Sequence, residues 1–294
     1  MKKVTIERGR TVAFEDLPAR SIALDGYCQG PDVDVENQRF SFDHHDKCLR
    51  LVTKATCEQV LDALLLGLDP TAFTIFVNDV DGDTVLSVWL LRNSKRAAEK
   101  TVRELVATVG GIDAHGPAYP AIDNALAEKF FQGVMKPELD LRRTKQYATC
   151  DLQTLLEQCV ENIDALLAGK IELASKMERH FETTHCGSGW VMAKSDDFIF
   201  DLLYAEGYTR AIAYKILPDG SVNYTVGKKS ELVGKFPVGP GSKVNSILYA
   251  LNERETGWGG GSTIGGSPRN ADGSRSRLTP DEVFEIVERV VMEG

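Results

Sequence analysis

The chain has 294 residues with 43% hydrophobic and 26% charged side chains, enough for one large or two modest globular domains. A formal net charge of -9 repels long polyanions, so the composition argues against long duplex nucleic acid as a partner. No apolar stretch is long enough to span a bilayer, and residues 1–8 lack the apolar core of a secretory signal. We therefore expect a cytoplasmic protein without a membrane partner. The composition is compatible with a monomer or a homodimer.

The first two predicted strands both end in residue types that bind metal ions. The apolar run 21–24 leads to Asp25. The alternating run 40–42 leads to an Asp-His-His motif, which consists of Asp43, His44 and His45. A sharp turn after this strand would let several of these side chains point into one site. An isolated Asp-His-His is equally compatible with a solvated surface turn. The choice between a metal site and such a turn therefore depends on the rest of the chain.

A third predicted strand also ends in acidic residues. Residues 56–67 have a helical apolar pattern, in which Thr56 is a plausible N-cap. The continuous apolar run 73–77 then suits a buried parallel strand. It is followed by three aspartates, which are Asp79, Asp81 and Asp83. Asp83 could instead cap a helix that begins near Thr84, and Asp81 with Gly82 could form only a turn.

Alternating strands and helices predict an α/β fold, with a mainly parallel sheet and flanking helices in the N-terminal domain. In such folds ligands bind beyond the carboxyl ends of the strands, so the acidic strand ends should lie along one edge. The residues expected there are Asp25, Asp43, His44, His45, Asp79, Asp81 and Asp83. Crowded carboxylates repel one another unless a cation neutralises them. Oxygen ligands combined with imidazole suit Mn²⁺ or Mg²⁺, as one or two ions.

Another Asp and His occur in the segment 110–117, where glycines and a proline predict a loop. Asp113 is a second-tier candidate for the site. His115 could be an additional ligand or a substrate-binding group. A loop histidine without a role in the site explains it equally well.

The rest of the chain predicts a connector helix and a second domain. Apolar residues at three and four spacing predict that the connector helix covers 149–185. Two β-rich runs on either side of Asp219-Gly220 predict a hairpin. We therefore expect a metal-binding domain over 1–148 and, over 186–294, a smaller α/β domain with a mixed sheet.

A glycine-rich segment, 257–269, lies between ordered elements of the predicted second domain. Glycines let a backbone approach a ligand closely, and bare N–H groups together with Arg269 can bind phosphate or carboxylate. A flexible linker would have a similar composition, but Trp258 and Ile264 argue against a purely solvated tether. No lysine follows at the spacing of a nucleotide-binding P-loop, so that interpretation is rejected.

Two rival interpretations concern the acidic segment 77–84. An EF-hand calcium loop would need Glu at its twelfth position, where this chain has Leu90. The segment resembles the nucleophile motif of haloacid-dehalogenase-type phosphatases, in which Asp-x-Asp-Gly-Thr follows an apolar strand. That resemblance implies a phosphatase that uses Asp79. It departs from the motif at Asp83, which is inserted before the threonine, and it leaves the Asp-His-His motif unexplained.

The chain also resembles the DHH phosphoesterases, which are named for an Asp-His-His at the end of a strand. As in that family, one strand before the motif ends in an aspartate, and a helix and another strand ending in an aspartate come after it. The resemblance implies metal ligation by Asp25, Asp43, His44 and Asp79, with His45 in the metal or phosphate site. The family's usual His-x-Asp-x-Asp motif on the first strand is missing. Either Asp81 and Asp83 supply the missing ligands, or one metal site is lost.

The glycine-rich segment is similar to the substrate-binding loop in the C-terminal domain of many DHH phosphoesterases. Ser262 stands in place of the family's histidine, which implies a changed substrate. By this resemblance the substrate-binding residues are Lys228, Lys229, Ser230, Gly259, Gly260, Gly261, Gly265, Gly266 and Arg269.

We therefore expect a metal-dependent hydrolase that cleaves a phosphoester of a small phosphorylated or nucleotide-type substrate between the two domains. His45 or His115 would act as general acid or base. The missing first motif favours an alternative, a catalytically silent relative that binds a nucleotide or phosphorylated metabolite. A second alternative is the haloacid-dehalogenase-type phosphatase.

Overall fold

The structure is a computed structural model that describes residues 3–49, 51–116, 118–173 and 179–293. The chain divides into two compact units, Met1–Lys176 and Met177–Gly294. Each unit has its own sheet and its own buried core, and the predicted α/β fold class is confirmed. No helix in the described ranges is both long and apolar enough to cross a membrane.

The sheet of the first unit is mainly parallel, as predicted. Its strands are β1 (Val4–Ile6), β2 (Ser21–Leu24), β3 (Asp32–Asp34), β4 (Arg39–Phe42) and β5 (Thr74–Val77). They lie in the order β1-β5-β2-β4-β3, and only β3 runs antiparallel to its neighbour. Leu24 pairs with Phe42, and Ala23 pairs with Phe76. The carboxyl ends of β2, β4 and β5 therefore lie side by side at one edge.

Helices cover this sheet, and one of them lies inside the core. They are α1 (Thr56–Leu65), α2 (Gly82–Arg92), α3 (Lys100–His115), α4 (Asn124–Glu128), α5 (Lys136–Arg143) and α6 (Leu152–Leu167). A short π-helical segment, Lys129–Val134, joins α4 to α5. Every residue of α2 from Asp83 to Leu91 is buried, because α1, α3 and α6 pack around it. The acidic residues that precede α2 are therefore joined directly to a helix that is buried in the core.

The predicted connector helix over 149–185 is wrong in its extent. Helix α6 ends at Leu167 and packs against α2 and α5, so it belongs to the first unit. Gly169, with φ +68, ends it in the left-handed conformation that glycine adopts without strain. Residues 182–186 form a strand instead, and residues 174–178 of the prediction lie outside the described part of the chain.

The second unit has the predicted mixed sheet. Its strands are β6 (Glu182–Cys186), β7 (Val191–Lys194), β8 (Arg210–Ile216), β9 (Val222–Lys228), β10 (Gly259–Gly260) and β11 (Ile264–Gly266). Their order is β10-β11-β9-β8-β7-β6, with β7 and β8 parallel and the other pairs antiparallel. The helices are α7 (Phe200–Ala205), α8 (Ile247–Asn252) and α9 (Pro280–Glu293). Strands β8 and β9 form the hairpin predicted around Asp219-Gly220.

Candidate metal centre

The three acidic strand ends open onto one cavity of about 390 Å³ in the first unit. Its polar wall includes Asp25, Asp43, His45, Asp79 and Asp81. These residues come together because the parallel strands β2, β4 and β5 end at the same level. Asp25 has φ +51, a left-handed conformation that turns the chain sharply at the end of β2. The structure thus brings together the strand-end residues that the sequence predicts.

His44 lies behind this cavity wall and is fully buried. Its Nε2 atom is 2.9 Å from an oxygen of Asp113, 3.6 Å from Asp25 and 3.7 Å from Asp83. Even the 2.9 Å approach does not have hydrogen-bond geometry, and neither ring nitrogen has a hydrogen-bond partner among the described residues. A buried polar atom without a partner is costly. The ring therefore faces three carboxylates without being satisfied by any of them.

The carboxylate of Asp25 is held by two threonines. The hydroxyl of Thr56 donates to Oδ1 at 2.9 Å, and the hydroxyl of Thr84 donates to Oδ2 at 3.2 Å. Burial raises the pKa of Asp25 well above its usual range, and the charges of Asp81 and Asp83 raise it further. This crowding of negative charge is the electrostatic condition that a cation would relieve.

Asp83 connects the acidic cluster to α1 rather than capping its own helix. Its two oxygens accept the N–H groups of Thr56 and Cys57, each at 2.7 Å, at the start of α1. Burial, followed by the charge of Asp113, raises the pKa of Asp83 to about 7. The N-cap of α2 is Asp81, which accepts the N–H of Thr84 at 2.9 Å. The sequence alternative that gave Asp83 this capping role is therefore wrong.

Asp43 orients His45 at the rim of the cavity. One oxygen of Asp43 lies 3.0 Å from Nδ1 of His45 and also accepts its backbone N–H, while the other accepts the N–H of Asp46. Burial raises the pKa of Asp43, but these hydrogen bonds outweigh it and leave the pKa below its usual value. The side chain of His45 is 43% exposed, so its ring meets solvent as well as the acidic wall.

Asp79 lines the cavity but is held by groups outside it. Its Oδ1 atom accepts a short hydrogen bond from the hydroxyl of Tyr147 and the N–H of Val80 at 2.9 Å. The guanidinium of Arg142 lies over the ring of Tyr147, 3.9 Å from its centroid. Sequence reasoning missed Tyr147, because nothing in its local pattern indicates a contact 68 residues away.

The ligand atoms of this cluster form two groups small enough for one ion each. Asp25, His44 and His45 form the first group, and His44, Asp83 and Asp113 form the second; within each group the atoms lie within 4.8 Å of one another. A buried Asp/His group in this protein could therefore hold a metal ion. His44 belongs to both groups.

Asp113 and His115 lie on the last turn of α3, where the sequence predicted a loop. The helix continues through Gly110, where a Cβ atom would lie 2.6 Å from Cγ of Glu58 on α1, so glycine permits close packing of the two helices. Positions two apart on a helix face different directions. Asp113 reaches His44, whereas His115 is exposed and its ring lies 4.6 Å from that of Tyr119. His115 is therefore placed apart from the acidic cluster.

Two neighbouring lysines of the predicted substrate-binding set face different parts of the second unit. Lys228 lines a cavity of about 400 Å³, whereas Lys229, on the other face of the chain, lies 5.9 Å from the ring of Tyr204. Ser230 accepts the N–H of Leu232 in a turn, and Arg269 is exposed.

The glycine-rich segment forms a hairpin rather than an open loop. Gly259 and Gly260 pair with Gly266 and Gly265, and the N–H of Gly261 donates to the carbonyl of Ile264 at 2.8 Å. Gly260 and Gly265 therefore permit close backbone pairing within the sheet.

No protein-family model matches this chain, and a comparison with curated proteins finds no match. The proposals below therefore depend on the chemistry and geometry of the described residues.

Proposed function

We propose that the protein is a metal-dependent hydrolase, a phosphoesterase that acts on a small phosphorylated or nucleotide-type substrate. The observation that carries this proposal is His44, a fully buried imidazole. Among the described residues neither of its nitrogens has a hydrogen-bond partner, and three carboxylates lie within 3.7 Å of Nε2. Imidazole and carboxylate oxygens are a donor set for divalent cations. A cation would satisfy the imidazole and neutralise the carboxylates together.

The donor set favours Mn²⁺ or Mg²⁺, as one or two ions. Oxygen donors dominate the cluster, and no cysteine belongs to either group of ligand atoms in the described residues. His44 and Asp25 would hold the ion nearer the cavity. His45 would approach this ion from the rim of the cavity. Asp83 and Asp113 would complete the inner group around His44. In this assignment Asp113, supplied by α3, adds a carboxylate to a chain that lacks the usual first-strand motif of the DHH phosphoesterases.

A bound ion would polarise the phosphoryl group and lower the pKa of an attacking water. The residues of the chain would then supply orientation and proton transfer. His45 is the candidate general acid or base, because it lies at the cavity rim and Asp43 fixes its Nδ1. Asp79 lines the same cavity and would be a further ligand of the ion, and the hydrogen bond from Tyr147 to its Oδ1 would hold it in place.

The order of the strand-end residues supports a DHH-type phosphoesterase over the haloacid-dehalogenase-type alternative. A nucleophilic Asp79 would need a freely accessible carboxylate, and one oxygen of Asp79 is already occupied by Tyr147 and Val80. The Asp-His-His motif is also left without a role in that alternative.

The test is to measure the metal content and the hydrolytic activity of the purified full chain. We expect Mn²⁺ to bind and to activate cleavage of a generic phosphodiester or phosphomonoester. Asp25→Asn should lose both binding and cleavage, whereas Asp62→Asn, a surface aspartate paired with Lys54, should keep both.

Other outcomes identify the alternatives. Metal binding without cleavage of any phosphoester tested would indicate the catalytically silent relative. Cleavage that survives Asp25→Asn and is lost only in Asp79→Asn would favour the haloacid-dehalogenase-type mechanism. Absence of both metal and cleavage in the wild-type protein would contradict the proposal.

A further inference from the structure

A groove between α8 and α9 in the second unit encloses a cavity of about 570 Å³. The residues of α9 that line it recur at spacings of three and four from Glu282 to Glu293, so they lie on one face of the helix. At about 1.5 Å per residue this face is about 17 Å long. The groove therefore has room along its length for about three turns of another helix.

Apolar side chains form part of the lining of this groove. Tyr249 and Ala250 come from α8, Ile286 and Val290 come from α9, and all four are half-buried. Ile286 and Val290 lie beside the fully buried row of α9 that contains Val287, and they pack against the same core. The apolar face of α9 is therefore wider than the core of this unit covers, and its edge is open to the groove.

The charged side chains of the lining are mainly acidic, with two formal negative charges in excess. They are Glu253, Glu282, Glu285, Glu293, Arg254 and Arg289. Glu282 is already engaged, because it accepts the N–H and the hydroxyl of Thr279 at the start of α9. Glu253, Glu285 and Glu293 are exposed, and none of them forms a salt bridge with any residue that the structure describes. These three carboxylates are available to a cationic partner.

This combination of apolar and acidic surface discriminates between possible occupants. An anionic ligand would be repelled by the excess negative charge, and a small cation would leave the apolar side chains in water. A second copy of the chain, related by a two-fold axis, would bring the same acidic residues against each other. A basic amphipathic helix avoids these conflicts, because its apolar anchors at i, i+3, i+4 and i+7 and its flanking lysines or arginines match both parts of the lining.

We propose that this groove binds a basic amphipathic helix of a partner protein. The apolar anchors of that helix contact Tyr249, Ile286 and Val290, and its cationic side chains pair with Glu253 and Glu285. Because the two glutamates are exposed, the charged pairs contribute orientation and specificity, whereas burial of the apolar anchors supplies most of the affinity. This proposal does not depend on the metal centre.

Fluorescence anisotropy of a labelled synthetic peptide, titrated with the full chain, tests the proposal. The probe is a helical peptide of about 18 residues with leucines on one face and lysines on the other. The control peptide has the same composition, but its leucines are spread over all faces of the helix. The probe should bind about tenfold more tightly than the control peptide or better, because both carry the same charge and only the probe presents a continuous apolar face.

Charge reversals at the exposed glutamates test where the probe binds. Glu253→Lys and Glu285→Lys should each weaken binding of the probe about fivefold, since an attractive charge pair becomes repulsive. Glu206→Lys is the matched control. It changes an exposed glutamate just after α7 that does not line the groove, and it alters the net charge of the chain by the same amount. This control variant should bind the probe like the wild type.

Three results overturn the proposal: absence of binding, equal binding of the probe and the control peptide, and equal weakening by Glu206→Lys and Glu285→Lys. Analytical ultracentrifugation of the chain without peptide tests for the other occupant. A wild-type dimer that Ile286→Asp converts to a monomer would mean that a second copy of the chain fills the groove, which also overturns the proposal. A wild-type monomer that binds the probe and responds to the variants as described supports it.

Discussion

His44 is fully buried, and neither of its ring nitrogens has a hydrogen-bond partner in the part of the chain that the structure describes. This combination lowers the stability of the metal-free protein. The carboxylates of Asp25 and Asp83 add to this cost, because burial and the charges of neighbouring carboxylates raise both pKa values. Sites that bind charged ligands commonly exchange stability of the free protein for affinity. Replacement of the buried imidazole should therefore maintain or raise the stability of the metal-free protein, and it should weaken metal binding.

We expect His44→Leu to leave the free energy of unfolding in EDTA unchanged or to raise it by about 1 kcal/mol, because an unsatisfied buried polar group is replaced by an apolar one. The same variant should lose stabilisation by Mn²⁺. Urea unfolding with EDTA and with Mn²⁺ measures both effects. His115→Leu is the matched control, since His115 lies apart from the cluster, and it should keep the response to Mn²⁺. A large loss of stability in EDTA for His44→Leu would indicate a structural role instead.

Tyr147 gives a second prediction, through its hydrogen bond to Asp79. Tyr147→Phe removes the hydroxyl and keeps the ring under Arg142, so the fold should be retained. Groups that orient a metal ligand typically contribute tenfold or more to affinity, and we expect a loss of about tenfold for Mn²⁺. Metal titration calorimetry measures this loss. Tyr119→Phe, next to His115, should bind Mn²⁺ like the wild type; equal affinity in Tyr147→Phe would mean that Asp79 needs no orientation.

Some site residues could be predicted from the sequence, and others could not. Asp25 and Asp43 were predictable because parallel strands end at one edge whatever the details of their packing. Asp113 was only a second-tier candidate, because it reaches His44 through the packing of α3 on α1 at Gly110. Tyr147 was missed, because it reaches Asp79 from a short helical turn. Such contacts depend on how helices dock, which no local pattern specifies.

At the scale of elements, the glycine hairpin offers a matched pair of substitutions. A Cβ atom on Gly260 would lie 2.3 Å from Cα of Gly265, and Gly260 has φ +150, whereas a Cβ atom on Gly259 would meet nothing within 4 Å. We expect Gly260→Ala to lower the free energy of unfolding by about 2 kcal/mol or more. Gly259→Ala should change it by no more than about 0.5 kcal/mol. Urea unfolding of the two variants is the measurement, and equal effects would show that the hairpin tolerates side chains at both positions.

The ion pair between α2 and α6 predicts a pH dependence. Arg92 donates to both oxygens of Glu157, at 2.6 and 2.8 Å, and thereby lowers the pKa of Glu157 below its usual 4.5. A carboxyl group with a depressed pKa in the folded state stabilises above its unfolded pKa, and this stabilisation is lost as pH falls through the folded value. Glu157→Gln should therefore lower the free energy of unfolding by about 1 kcal/mol near neutral pH. This value allows for the partial exposure of Glu157.

This cost should disappear when unfolding is measured in acid, where Glu157 is protonated in both states. Glu161→Gln, on the same helix and without a salt bridge in the described part of the chain, is the control for the change of net charge. A cost of Glu157→Gln that stays constant with pH would contradict the electrostatic explanation.

The elements themselves were predicted better than their ends. The strands before Asp25, Asp43 and Asp79 follow from short apolar runs, and the structure contains each of them. The predicted connector helix was too long, because the apolar spacing stops near Leu167 and the glycine at 169 ends the helix. A helical pattern identifies a helix more reliably than it identifies where backbone hydrogen bonding stops.

At the scale of the whole molecule, the proposed metal ion belongs to one of the two units. The acidic cluster, with both groups of candidate ligand atoms, lies in Met1–Lys176. Each unit has its own buried core, so each has the means to unfold cooperatively. A ligand raises the melting temperature of the unit to which it binds in the folded state. Mn²⁺ should therefore act on the thermal transition of the first unit.

Differential scanning calorimetry of the full chain tests this expectation. Mn²⁺ at about one hundred times its dissociation constant should raise the transition of the first unit by about 5 °C and leave that of the second unit unchanged. His44→Leu should abolish this shift and His115→Leu should keep it, which assigns the transition to the first unit. A single transition that Mn²⁺ raises would mean that the two units unfold together, and the response of the two variants alone would then locate the ion.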